Sequence, residues 1–382
     1  MSRPVLITGA RAPVAIDLAR AFAAGGYDLY LADSVTPWAA RWSRAGRRRI
    51  VRLPPARHAF DAYAAALADW VARHDPALIV PTCEEIFYVA AAAARHGFAK
   101  RLFAPPLEVL RRLHSKLLFP ALLRSIGAPA LETWAIESPQ DLEALGIAPG
   151  ELVLKPEYSR FGTATLVRPD RAALRRFAPA PGRAWVAQRF VAGEELCLWS
   201  AARDGRIVAS AAYRPLWRHR RAAAFAFELV AAPAAEAVAA KVAAATGMTG
   251  HLSFDFIVTE SGEAVAIECN PRAVSGVHLF DGDPALAAAI AGEGPRAEPK
   301  AELRYLAPAM LLLGPVAGRG RWRDLAGDWR RGGDALGRAG DRGPALGALL
   351  DAARFALTGF SRGRSPTGQT TDDIEWNGEP LG

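Results

Sequence analysis

Apolar residues at the start of the chain form two continuous runs separated by a stretch with helical spacing. The run PVLITGA is followed by PVAIDLARAFAAGG, with apolar residues on one helical face, and then by YDLYLAD, which ends at Asp33. Continuous runs predict buried strands, whereas the spaced repeat predicts an amphipathic helix. Strand, helix and strand in this order predict the opening of a doubly wound α/β domain with a parallel, Rossmann-like sheet.

A further helix and a further buried strand extend this domain. The helix FDAYAAALADWVARH leads to ALIVPTCEE, whose carboxyl end lies at the sheet edge where open α/β sheets bind ligands. Glu84 is therefore a candidate substrate contact, although a carboxylate stabilised at the start of a helix is at least as good an interpretation. The dinucleotide fingerprint G-x-G-x-x-G is absent, since GARAP supplies one glycine where three are needed.

The segment HLSFDFIVTESGEAVAIECNPRAVSG alternates with period two on both sides of Ser261-Gly262, which predicts an antiparallel hairpin. A four-residue loop from Glu260 to Glu263 sets Asp255 opposite Glu268 and Ser253 opposite Asn270. This register also predicts one packed face, which comprises Phe254, Phe256, Val265 and Ile267. A slip of one residue would turn Asp255 to the other face.

Two carboxylates directly opposite each other repel unless a cation lies between them. Asp255, Glu268 and the Asn270 carbonyl offer hard oxygen ligands, which suit magnesium accompanied by substrate phosphates. Arg272 adds a planar fork that suits phosphate. The alternative interpretation is an edge hairpin with a solvated polar face.

These residues resemble the magnesium-binding end of the ATP-grasp superfamily of ligases, whose closing pattern is an acid followed later by Glu-x-Asn-Pro-Arg. The resemblance implies a multidomain chain of mixed α/β and α+β class. It implies a Rossmann-like domain over residues 1–108, an ATP-grasp small subdomain over 109–183 and a large subdomain over 184–295, the last two gripping ATP. Residues 296–382 follow as a C-terminal extension of loops and helices, which the resemblance does not explain.

The resemblance also assigns roles around ATP and two magnesium ions. It implies that Asp255, Glu268 and Asn270 hold the metal, and that Arg272 and Lys155 act on the transferring phosphoryl group. Lys116, which opens a predicted helix that runs to Ile126 and stops at Gly127, corresponds to the lysine on the α-phosphate. Lys155 is the second ATP-binding lysine.

The remaining nucleotide contacts follow from the same resemblance. Ser159, Arg160 and Gly162 would belong to a lid over the phosphates, which here has fewer glycines than usual. Gln188 would accept from the adenine amino group, backbone groups of Arg189, Phe190 and Val191 would bind the ring, and Glu195 would bind the ribose. Taken singly, Gln188 and Glu195 are better explained as an exposed strand residue and a turn acid, but their spacing relative to Lys155 and Asp255 favours the nucleotide-binding roles.

The resemblance implies that a substrate carboxylate attacks ATP to give an acyl phosphate, which an amine or a thiol then intercepts. The candidate substrate residues are Arg214, Ser275, Gly276, His278 and Glu84. His278 lies on an apolar run and is equally explained as a structural histidine. The alternatives are an NAD(P)-dependent oxidoreductase that uses the first domain, and an ATP-binding protein without catalysis.

Composition limits the partners. The net charge is +8 and the isoelectric point about 9.7, but the arginine clusters at 47–49 and 218–221 lack the interleaved aromatics of a nucleic-acid platform. An acidic carrier protein or a tRNA remains an alternative partner, and a homodimer is possible. Three widely spaced cysteines predict a reducing compartment, and no apolar run is long enough to span a membrane, so we expect a cytoplasmic protein.

Overall fold

The computed structural model describes residues 3–46, 49–159, 164–175, 177, 179, 184–218, 224–317 and 321–381. The first domain is a four-stranded parallel sheet in the order β3-β2-β1-β4 with helices on both faces. Its elements are β1 (Pro4–Thr8), α1 (Pro13–Ala24), β2 (Asp28–Asp33), α2 (Trp38–Trp42), β3 (Ile50–Arg52), α3 (Phe60–His74), β4 (Leu78–Pro81) and α4 (Ile86–His96). The doubly wound parallel sheet is confirmed.

Alternation along β1 explains why this sheet is covered on both sides. Val5 and Ile7 pack with the apolar face of α1, whereas Leu6 packs with residues of α3 and α4. All three side chains are fully buried, which is typical of a strand in the middle of a parallel sheet.

The second unit is an antiparallel sheet in the order β5-β8-β6-β7. Its elements are α5 (Leu107–His114), α6 (Leu118–Ser125), β5 (Thr133–Ile136), α7 (Pro139–Ala144), β6 (Leu152–Pro156), β7 (Leu166–Val167), α8 (Arg171–Leu174) and β8 (Trp185–Arg189). Helix α6 is followed by Gly127 with φ of 62°, a left-handed conformation that glycine adopts without strain. Lys116 lies in the turn before this helix.

The remaining elements build the largest sheet and the C-terminal helices. They are β9 (Glu194–Arg203), β10 (Arg206–Arg218), β11 (Ala224–Leu229), α9 (Pro233–Thr246), β12 (Gly250–Val258), β13 (Ala264–Asn270), α10 (Pro284–Ala291), β14 (Leu303–Tyr305), α11 (Ala307–Ala317), α12 (Trp322–Arg331), β15 (Gly333–Asp334), α13 (Gly343–Ser361) and α14 (Pro366–Gln369). The sheet has seven strands in the order β13-β12-β9-β10-β11-β14-β15. Because β14 and β15 follow residue 295, the sheet continues past the predicted boundary of the large subdomain.

The last residues of the chain return to the first domain. The Asp373 carbonyl accepts from the Arg57 backbone N–H at 2.9 Å, and the Glu375 carbonyl accepts from the Tyr88 hydroxyl at 2.8 Å. Trp376 is 1% exposed and stacks on Phe87, with ring centroids 4.6 Å apart. We call residues 370–381 the tail. No helix in the described ranges has the length and apolar character needed to cross a membrane.

Candidate active site

The hairpin of β12 and β13 has the register that the sequence predicts at its polar end. Asp255 pairs with Glu268, and Ser253 pairs with Asn270. Beyond that point a bulge shifts the register, so Phe256 pairs with Ala266 and Ile267 is the additional residue on β13. The two carboxylates are therefore neighbours across the ladder.

Two details of the predicted hairpin are wrong. The loop has five residues, 259–263, because the last pair is Val258 with Ala264. The bulge also exchanges the faces beyond it, so Ala264 and Ala266 pack beside Phe254 and Phe256, and the predicted Val265 and Ile267 do not belong to that core.

Asn270 connects the two acids. Its amide nitrogen lies 3.1 Å from Glu268 Oε1 and 3.5 Å from Asp255 Oδ2. Its amide oxygen accepts from Arg272 Nη2 at 3.3 Å. The structure thus brings together the three predicted metal ligands and the predicted phosphate-binding arginine.

The surroundings shift the pKa values of the two acids in opposite directions. Burial and the adjacent Glu268 carboxylate raise the pKa of Asp255. Burial would also raise the pKa of Glu268, but the ammonium groups of Lys116 and Lys155 outweigh it and lower that pKa. Glu268 therefore carries the stronger negative charge of the pair, and it faces the two lysines.

Both predicted lysines reach this cluster from the small subdomain. Lys116 Nζ lies 3.8 Å from Glu268 Oε2 and donates to the Ser159 carbonyl at 3.1 Å. Lys155 Nζ donates to the Ile267 carbonyl at 3.1 Å. Both side chains are buried, and burial, with Lys116 acting in the same direction, lowers the pKa of Lys155 to about 8. The site is thus a pair of acids faced by a pair of amines, between two sheets.

Arg272 also connects the hairpin to the first domain. Its Nε donates to Glu84 Oε1 at 2.6 Å, and its backbone carbonyl accepts from the Ser253 hydroxyl at 2.7 Å. Burial disfavours the charged form of Arg272. The negative charge of Glu84 outweighs this effect and raises the pKa of the arginine. Glu84, a predicted substrate contact, is 1% exposed and lies against this guanidinium.

The side chains fit a magnesium ion bound together with phosphates. Among the described residues, no group of three His, Cys, Asp or Glu side chains is placed to bind a metal, so the two acids need an oxygen of another kind. Turning the Asn270 amide by 180° would supply one, at the loss of the 3.3 Å hydrogen bond from Arg272. Two carboxylates and an amide oxygen leave positions free for phosphate, the usual arrangement for magnesium.

The predicted adenine-binding strand, β8, belongs to the small antiparallel sheet, although the predicted boundary at residue 184 assigned it to the large subdomain. The Gln188 amide nitrogen lies 3.4 Å from the Lys116 carbonyl, and the side chain is buried. The backbone N–H groups of Arg189 and Phe190 already donate to the Glu132 and Glu151 carbonyls. The Val191 N–H has no acceptor among the described residues, so it can donate to a ring nitrogen.

Glu195 lies on β9, opposite Ile257 of β12, and forms an ion pair with Arg218. Ser159, at the start of the predicted lid, accepts from Lys116 through its carbonyl and donates from its hydroxyl to the Pro156 carbonyl at 3.4 Å. Arg160 and Gly162 lie outside the described residues.

The predicted substrate residues do not form one cluster. Ser275 and Gly276 begin a 3₁₀ segment beside Tyr213, and a Cβ on Gly276 would lie 2.6 Å from the Trp199 Cβ. His278 is buried, with Nδ1 at 2.7 Å from Asp17 of α1, which matches the structural interpretation. Arg214 is half exposed and lies 3.5 Å from Glu228 and 3.7 Å from Glu194, in a groove that the predicted ribose contact Glu195 also lines.

Three residues near the site carry no sequence signal that points to it. The Cys197 thiol donates to Asp255 Oδ1 at 3.3 Å, and burial together with Asp255 raises its pKa well above the ordinary value. Tyr213 of β10 is buried and pairs with Cys197 across the sheet. Burial lowers the pKa of His114 to about 4, and neither ring nitrogen has a partner within the described residues. Only pairing across strands reveals that Cys197 faces Asp255.

No family model matches the sequence. Several solved structures are nevertheless similar over most of the chain. N5-carboxyaminoimidazole synthetase from Staphylococcus aureus, complexed with ADP, has a TM-score of 0.66 at 13% identity, over 85% of this chain and 87% of that one. An L-amino acid ligase from Bacillus licheniformis has a TM-score of 0.55 at 16% identity, over 72% and 68%.

A third similar structure is the biotin carboxylase domain dimer of the Hydrogenobacter thermophilus 2-oxoglutarate carboxylase, in complex with MgADP, ADP and bicarbonate. Its TM-score is 0.61 at 17% identity, over 78% of this chain and 72% of that one. At such identities the similarity concerns the fold. The chain therefore has the ATP-grasp fold that its hairpin and its two lysines predict.

Proposed function

We propose that this protein is an ATP-dependent ligase that activates a substrate carboxylate as an acyl phosphate for attack by an amine or a thiol. The observation that carries the proposal is the cluster in which Asp255, Glu268 and Asn270 face the buried Lys116 and Lys155. Separate elements of two sheets contribute these charges, and their arrangement suits a polyphosphate with its metal. The similar solved structures support the proposal, since they include ligases and complexes with ADP.

The chain's own residues have complementary tasks in this reaction. Asp255, Glu268 and Asn270 would hold magnesium, which supplies charge neutralisation on the phosphates. Lys116 and Lys155 bind phosphate oxygens, Arg272 stabilises the charge of the transferring phosphoryl group, and Gln188 and Val191 orient the adenine. Glu195 binds the ribose after releasing Arg218.

The bonds change in two steps. A carboxylate oxygen of the substrate attacks the γ-phosphorus, and the bond to the β–γ bridging oxygen breaks as ADP leaves. The acceptor nitrogen or sulfur then attacks the carbonyl carbon, phosphate leaves with the C–O bonding pair, and the acceptor loses a proton. Positioning and exclusion of water account for most of such a reaction, which agrees with the buried state of both lysines.

The oxidoreductase alternative receives no support from the first domain. A dinucleotide would bind at the carboxyl ends of β1 and β2. In this protein Arg11 lies there, paired with Asp33 of β2 and with Asp373 of the tail, at 2.5 and 2.6 Å. The chain's own side chains thus fill the position that a pyrophosphate would need.

The test is release of ADP from ATP and magnesium, measured over a panel of carboxylic acids combined with amines and thiols. We expect turnover only when an acid and an acceptor are both present. Glu268→Gln should lose about 10²-fold or more in kcat, because it removes charge from the metal site. Glu263→Gln, in the exposed loop of the same hairpin, is the matched control and should keep full activity. Full activity of Glu268→Gln would contradict the proposed site.

A further inference from the structure

Helix α13 is fixed to the first domain along one face. Asp351 accepts from the backbone N–H groups of Trp38 and Ala39 at 3.2 and 2.9 Å. Gly347 approaches so closely that a Cβ would lie 2.5 Å from the Trp38 carbonyl oxygen. The helix is thus held in one orientation, and its opposite face is fixed with it.

That opposite face is apolar along its whole length. Its exposed members include Leu346, Leu349, Leu357 and Phe360, of which Leu357 is 72% and Phe360 88% exposed. The two charged residues of the helix, Asp351 and Arg354, lie on the inner side, where they pair with each other at 3.0 Å. A continuous exposed apolar surface of this kind marks an interaction site.

We propose that this face of α13 binds the same face of a second copy of the chain, in an antiparallel pair about a twofold axis at Ala353. The large apolar residues of the face are placed symmetrically about this residue, except that Leu350 has Ala356 as its counterpart. Leu349 and Leu357 lie four residues before and after it, and Leu346 and Phe360 lie seven before and after it. An isologous contact needs such a self-complementary patch, because every residue meets its symmetry mate.

Residue size supports this arrangement. The middle of the exposed face has the small residues Ala352, Ala353 and Ala356 and one large residue, Leu350, which would pack on Ala356 of the second copy; leucines and a phenylalanine occupy both ends. Small residues at a crossing point allow two helices to approach closely, and the bulky ends then cover each other. Leu349 would contact Leu357 of the second copy, and Leu346 would contact its Phe360.

The charges of the helix itself favour a protein partner over an anionic membrane. Helices that lie on anionic membranes carry several lysines or arginines along their polar face. The only basic residue of α13 is Arg354, and it is paired with Asp351 on the inner side. Since the centre of the face has no charge, the association should persist at high salt.

Cross-linking at the twofold axis is the first test. In the full chain, Ala353→Cys should give a disulfide-linked dimer under mild oxidation, reversed by reductant, because only a residue on the axis faces its own copy. Ala234→Cys, exposed on α9, is the control and should cross-link no more than the unaltered protein. Equal cross-linking of both variants would overturn the proposal.

Sedimentation supplies the second test. The unaltered chain should sediment as a dimer, and Leu349→Glu or Leu357→Glu should give a folded monomer, with the fold checked by circular dichroism. Leu312→Glu, the same change at an exposed leucine of α11, should remain dimeric. A monomeric unaltered protein would overturn the proposal, as would a dimer that survives both α13 changes. Binding of a monomer to phosphatidylglycerol vesicles, lost in Leu349→Glu, would identify the face as a membrane-binding surface instead.

Discussion

Lys155 is an ammonium group in a buried position, with an acid on one side and another lysine nearby. Its Nζ donates to the Ile267 carbonyl, and Glu268 is its principal source of opposite charge. Burial favours the neutral amine and lowers the pKa of Lys155 to about 8, well below the ordinary value for lysine. A bound phosphate would favour the charged form of Lys155, because its negative charge offsets the cost of burial.

This lowered pKa predicts that nucleotide binding depends on pH. Below about 8 the free protein carries a charged Lys155, and above it the amine is neutral and attracts phosphate less. We expect the affinity for ADP, measured by calorimetry, to fall several-fold as the pH rises through this value. Lys155→Arg keeps its charge throughout this range, so its affinity should be nearly constant. The same decline in both proteins would contradict this role of Lys155.

Residue types and their spacing were sufficient to predict the centre of the site. Asp255, Glu268 and Asn270 meet as predicted because a period-two pattern on both strands leaves few registers that bury the aromatic residues. The bulge at Ile267 was not predictable, since an additional residue in one strand leaves no mark on composition. The sequence analysis did not identify Cys197, because its position opposite Asp255 depends on the pairing of β9 with β12, two strands that are far apart in sequence.

At the scale of elements, the tail connects the first domain to Tyr158, which precedes the predicted lid. Trp376 stacks on Phe87 of α4 and lies 5.0 Å, centroid to centroid, from Tyr158, which precedes the lid. Tyr158 in turn is 5.9 Å from His114 at the end of α5. One buried indole thus contacts both the first domain and the end of the segment before the predicted lid.

Trp376→Ala should destabilise the protein by about 3–5 kcal/mol, because it removes a fully buried aromatic side chain. It should also weaken ADP binding, since Tyr158 loses its packing partner. Unfolding in urea and calorimetry measure the two effects. Trp322→Ala, at a side chain 59% exposed, is the control and should change stability by about 0.5 kcal/mol or less. Equal effects of the two changes would show that the tail contributes little to the fold.

At the scale of the whole molecule, the first domain was easier to predict than the C-terminal extension. Hydrophobic periodicity predicts the strands and helices of the first domain, because these elements are consecutive in sequence and pack against each other. The tail was not placed by sequence, since Arg11 and Asp373 are 362 residues apart and nothing local connects them. For the same reason β14, although it lies in the extension, was not recognised as a strand of the large sheet.

The proposed function depends on one arrangement, in which two acids of the large sheet and two lysines of the small subdomain would face one nucleotide and its metal. The most direct measurement is a crystal structure with ADP and manganese, with the metal located by its anomalous scattering. We predict a metal peak at coordination distance from Asp255 and Glu268, with phosphate oxygens beside Lys116 and Lys155. A nucleotide bound elsewhere, or a metal bound without either acid, would contradict the account.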